Sequence, residues 1–148
     1  LSNIRFIYKG PYKLTSYDEK FITKLVNLVK QFHILPDDIE IQFQNMNNNV
    51  YGMTMVDVRF PNRICLNHTL SLEELILPLT HELLHLHQVF TKKLQCRSGG
   101  RIFYNGKLYK VDDATLSYED YQNLPWEQDV NIKQKTLLEF ITENIRKN

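Results

Sequence analysis

Three of the five histidines in the chain stand close together, at positions 81, 85 and 87. His81 and His85 are four residues apart. On an α-helix that spacing sets two side chains one turn above each other, offset by about 40°. Two imidazoles so placed can grip one metal ion. Zinc suits them, because it accepts imidazole nitrogen and leaves a position open for water. Glu82 lies on a flanking face of the same helix, within reach of a water at that position, and can take its proton. The run His81-Glu82-Leu83-Leu84-His85 is an HExxH pattern. A chance match is expected in about one chain in a hundred of this composition, so the surrounding elements have to carry the reading.

A catalytic zinc takes a third protein ligand. His87 is roughly 200° around the helix from His85 and faces away. His68 precedes the helix start, too far along its axis, and His33 closes an earlier helix. Asp112 and Asp113 follow a hairpin and read as turn residues. Glu127 follows Leu124-Pro125-Trp126 in the first turn of the last helix, where a proline start fixes its direction. A carboxylate there also complements the helix dipole. Asn131, four residues on, falls on the same face and is the expected outer partner of the ligands. When water attacks a carbonyl, the resulting oxyanion needs a donor beyond the metal. Tyr104, Tyr109, Tyr118 and Tyr121 lie between the two segments, and Tyr121, nearest Glu127, is the candidate.

The elements that must position these groups follow from periodicity. Residues 4–9 read as a strand closed by Gly10-Pro11. Tyr17, Phe21, Leu25, Leu28 and Phe32 repeat at helical spacing and predict a first helix, ended before Pro36. Ile39, Ile41 and Phe43 alternate with polar residues, as a strand requires. Residues 53–60 predict another strand, an exposed edge along which extended peptide could add, and 63–66 a short one after the Pro61-Asn62 turn. Ser71 and Glu74 form a capping box ahead of a largely apolar run to about Phe90. Pro78 inside that run predicts a kink or a split. Asn105-Gly106 predicts a type I′ hairpin between 101–104 and 107–111. Residues 112–124 read as irregular, and Val130, Leu137, Leu138, Ile141 and Ile145 describe a terminal amphipathic helix. The expected fold is a single α+β domain, a small mixed or antiparallel sheet on a central helix.

The chain has 148 residues, 43% hydrophobic, with 18 Lys and Arg against 17 Asp and Glu. That length buries one core, and the balance excludes wholesale disorder. A net charge of +1 gives no footprint for nucleic-acid binding. No apolar run reaches the roughly 20 residues that span a bilayer, and no secretory leader is visible. Cys65 and Cys96 cannot form a disulfide framework, and a reducing compartment suits them. Ala114 is the only alanine, which propensity does not explain and an AT-rich coding sequence would.

The segment His81–His85, continued as Leu86-His87-Gln88, with Tyr121-Gln122-Asn123-Leu124-Pro125-Trp126-Glu127, resembles the small HExxH proteins of the minigluzincin and phage-type metallopeptidase group. The resemblance spans about residues 60–135. It implies a zincin-like fold, zinc held by His81, His85 and Glu127, and Glu82 as general base in peptide-bond hydrolysis. It also implies a peptide or protein substrate, virion or other phage proteins as partners, and a cytoplasmic or virion-associated place. The sequence departs from the group after the third ligand, where Gln128-Asp129-Val130 stand instead of a small residue. A non-catalytic structural or interaction protein that keeps the zinc-binding fold, such as a virion component, is the alternative.

Overall fold

Alternation builds the main sheet. In β2 (Asp38–Gln44), Ile39, Ile41 and Phe43 share one face and all are buried. β1 (Asn3–Tyr8) and β4 (Arg63–Asn67) pair with β2 on either side, both in parallel. β3 (Gly52–Thr54) pairs antiparallel with β4 and forms the outer edge, so the sheet is mixed, in the order β1-β2-β4-β3. These statements come from a computed structural model that describes residues 3–47, 50–55, 59, 62–112 and 114–147. The strand expected over 53–60 is ordered as strand at Gly52–Thr54. Residues 56–58 and 60, together with Pro61 of the expected turn, lie outside the described residues.

Three long helices complete the core with this sheet, the last of them packing on the other two. α1 (Ser16–Lys30) starts at Thr15, whose hydroxyl accepts from the Asp18 N–H at 3.1 Å. It turns Ile22, Leu25, Val26 and Val29 inward. α2 (Leu72–Phe90) has the expected capping box, with Ser71 and Glu74 bonded reciprocally. Of the kink or split expected at Pro78, the split does not occur, and α2 runs through it as one helix. The carbonyl that loses its partner belongs to Glu74, an exposed residue of the first turn, so water can satisfy it. Leu75, Leu79, Leu83, Leu84 and Leu86 are almost fully buried, each contributing roughly 1.5–3 kcal/mol relative to exposure.

A second sheet, antiparallel and three-stranded, follows α2: β5 (Leu94–Cys96), β6 (Arg101–Tyr104) and β7 (Lys107–Lys110). Asn105 and Gly106 have φ of 50° and 83°, the two positive values that a type I′ turn demands. α3 (Tyr118–Gln122) corrects the irregular reading of 112–124. It is one short turn, capped by Ser117 through the Asp120 N–H, and too brief for periodicity to reveal. α4 (Pro125–Asn144) begins with its proline at the first position. Val130, Leu137 and Ile141 of α4, with Ile145, join α1, α2 and the strand residues in one core.

The fold is therefore α+β, with four helices and two small sheets among the described residues. No helix is long and apolar enough to cross a membrane among those residues.

Candidate metal centre

α2 and α4 cross antiparallel. Gln88 near the end of α2 meets Trp126 and Asp129 at the start of α4, while Glu73 at the start of α2 pairs with Arg146 just past the end of α4. That crossing brings Glu127 onto the two histidines. Glu127 Oε1 lies 3.2 Å from His81 Nε2, and Oε2 lies 2.9 Å from His85 Nε2. One ligand atom from each of the three residues falls within 4.8 Å of the others. Among the described residues this is the one group of three or more metal-ligating side chains so placed.

The three sit in a protected place. Glu127 is 3% exposed and His85 8%. Burial works against the charged form of each imidazole, but the Glu127 and Glu82 carboxylates beside them outweigh it, and both pKa values are raised. Burial likewise works to raise the Glu127 carboxyl. The two imidazoles held against it, His81 and His85, win, and bring it down to about 2. The carboxylate thus needs positive charge beside it. Protons on the histidines supply that charge, and a divalent cation supplies it equally, displacing them.

The donor geometry fits a metal. His85 Nε2 is buried and has no hydrogen-bond partner, although Glu127 Oε2 is only 2.9 Å away. The ring nitrogen is therefore not aimed along the line to that oxygen. Both Nδ1 atoms are engaged on the far side: His85 with Gln88 Oε1 at 2.9 Å, His81 with Gln134 Oε1 at 2.9 Å. One ligand atom from each of two imidazoles and a carboxylate within 4.8 Å of one another, with the Nδ1 atoms held, make a three-ligand set of the kind zinc accepts.

Glu82 lines the same cavity as His85 and Glu127, a hollow of about 210 Å³ that also touches Gly52, Val89, Leu94, Tyr121 and Trp126. The Thr54 hydroxyl lies 2.8 Å from Glu82 Oε1 and 2.9 Å from the Glu82 carbonyl oxygen. A Cβ added at Gly52 would stand 3.1 Å from Glu82 Cγ. β3 thus approaches the helix closely at the candidate base. A larger hollow, about 420 Å³ between Phe32, Ile132 and Phe140, holds none of these groups.

The other expected residues are placed as follows. Tyr121 lines the cavity; Tyr104 and Tyr109 instead flank Trp126, with ring centroids 6.0 and 5.6 Å from it, and Tyr118 is 80% exposed. Asn131, expected beside the ligands, donates to Gln122 at 3.2 Å. It makes no bond to either histidine among the described residues, and the outer partners there are Gln88 and Gln134. Gln88 lies three residues beyond His85, a neighbouring position on the same helix, and that spacing was the available signal. His87 donates Nδ1–H to the Ile34 carbonyl at 2.8 Å and meets His33 edge to face. His68 stacks on Tyr12. Asp112 accepts from the Ala114 N–H in a turn, and Asp113 lies outside the described residues. Both cysteines are free, Cys65 buried and Cys96 exposed.

No protein-family model matches the chain, and neither a curated protein nor a solved structure does.

Proposed function

We propose that the chain is a zinc-dependent peptidase with a zincin-like arrangement, in which His81, His85 and Glu127 hold the metal. The observation that carries this reading is the buried His85 Nε2 without a hydrogen-bond partner, set with His81 Nε2 around one carboxylate. Zinc bound there would supply Lewis acidity, polarising a carbonyl and making water acidic enough to ionise near neutral pH. Glu82, tethered by Thr54 at the cavity wall, takes a proton from water and returns it to the departing amine. Tyr121 lines the same cavity and offers a hydroxyl to the oxyanion. β3 is an edge strand among the described residues, and its outer side offers main-chain groups to an extended peptide.

The test is metal content followed by hydrolysis. Reconstituted protein is expected to hold about one zinc, and His81→Ala or His85→Ala to hold none. Glu82→Gln is expected to keep the zinc and lose cleavage of a peptide library. Absence of zinc after reconstitution overturns the metal site. Zinc without any peptide cleavage by the unaltered chain leaves the non-catalytic interaction protein as the better reading.

A further inference from the structure

Gln88 is fully buried, and its amide touches both elements that carry ligands. Its nitrogen donates to the Trp126 carbonyl at 3.0 Å and to Asp129 Oδ2 at 2.9 Å. Its oxygen lies 2.9 Å from His85 Nδ1. Trp126 and Asp129 are the residues one before and two after Glu127.

Only one orientation of this amide satisfies all three neighbours. A backbone carbonyl and a carboxylate oxygen can only accept, so the NH₂ group must face Trp126 and Asp129. Turned over, the amide would set its oxygen against two acceptors and its NH₂ against the imidazole. With the nitrogen committed, Oε1 faces His85 and can only accept, so His85 must carry its proton on Nδ1. Nε2 is then left with a lone pair. That lone pair belongs to the atom found buried, without a hydrogen-bond partner, beside Glu127.

We infer that Gln88 is a positioning residue for the metal centre: it fixes His85 as the Nδ1–H tautomer and ties that ligand to the turn of α4 that presents Glu127. This rests on the metal-site reading above. One side chain thereby sets the direction of a nitrogen ligand and the distance to the carboxylate ligand. Asp129 is held in turn by Lys133, whose Nζ lies 3.0 Å from Oδ1 and 3.2 Å from Oδ2. His81 has an analogous partner in Gln134. Gln134 is partly exposed and makes no second bond among the described residues, so its amide is not locked in the same way.

The experiment uses the full chain with ¹⁵N-labelled histidine, free of metal, at a pH where the His85 ring is neutral. Long-range ¹H–¹⁵N correlation identifies which ring nitrogen bears the proton. His85 is expected as the Nδ1–H tautomer, with Gln88→Leu moving it towards Nε2–H. Zinc affinity, read by competition with a chromophoric chelator, is expected to weaken about 10- to 100-fold in that variant. Gln134→Leu is expected to weaken it less. An Nε2–H tautomer in the unaltered chain overturns the inference without any variant having to fold. So does a Gln88→Leu protein whose tautomer and zinc affinity are unchanged. If the unaltered chain binds no zinc, the metal-site reading fails, while the tautomer measurement still decides the role of Gln88.

Discussion

The Thr54 hydroxyl sits 2.8 Å from Glu82 Oε1, so a single side chain of the edge strand holds the candidate base of the central helix. The same oxygen is 2.9 Å from the Glu82 carbonyl. Base and strand edge are therefore positioned together. Thr54→Val keeps the shape and removes the tether. It is expected to leave zinc content unchanged and lower kcat/KM about 10- to 100-fold, with Thr54→Ser retaining most activity. Steady-state kinetics on a cleaved peptide checks this, and an unimpaired valine variant would remove the tethering role.

Gly52 makes the close approach of that strand possible. A methyl group there would meet Glu82 Cγ and Leu66 Cδ2, each at 3.1 Å. Leu66 is fully buried, so Glu82 is the side chain that yields. Gly52→Ala is expected to cost activity while zinc binding persists, and to change stability by no more than about 1–3 kcal/mol. Urea unfolding and zinc titration of the same preparation separate the two effects.

Zinc should stabilise the fold by mass action. At a free concentration of 100 times Kd the gain is about 2.7 kcal/mol, or roughly 5–10 °C in Tm for a domain of this size. Glu127→Gln preserves volume and removes the buried anion. It is expected to abolish most of the shift, and chelation to reverse the shift in the unaltered chain. Scanning calorimetry with and without zinc is the measurement; an equal shift in the Gln variant would show that Glu127 is no ligand.

His33 gives a pH dependence away from the metal centre. Burial pushes its pKa below 6.5, and His87, Lys133 and Lys93 add to this, with Asp129 opposing. The unfolded chain then binds a proton that the folded chain refuses. Stability from this source is complete above pH 6.5 and is lost as pH falls from there towards the lowered folded value. His33→Gln is expected to flatten the fall in unfolding free energy between pH 7 and 5 relative to the unaltered chain. Identical slopes in the two proteins would place the dependence elsewhere.

Several elements were readable because their causes are local. The Ser71–Glu74 capping box, the Asn105-Gly106 hairpin and the proline start of α4 all appear where the sequence puts them. Each depends on residues within a turn of one another. β5 and α3 were not anticipated: three and five residues long, they carry too few positions for a period to emerge. At Pro78 the sequence left a kink and a split both open, since propensity counts the lost bond without asking whether its carbonyl meets solvent, and α2 is not split there.

The sequence by itself determined that His81 and His85 share a face, because the α-helical repeat fixes the directions of side chains four residues apart. It also set His87 aside by the same geometry. Which acid joins them was decided only by the tertiary structure, where the antiparallel crossing of α2 and α4 sets Glu127 between the two imidazoles. The same crossing chose the outer partners. Moving back along α2 from His85 to His81 means moving forward along α4, so Gln134 meets His81 while Asn131 turns to Gln122. Spacing along one helix fixes direction about its own axis. How two helices lie against each other is set by the burial of Leu83, Leu84, Val130 and Leu137 in a common core, and no local period encodes that.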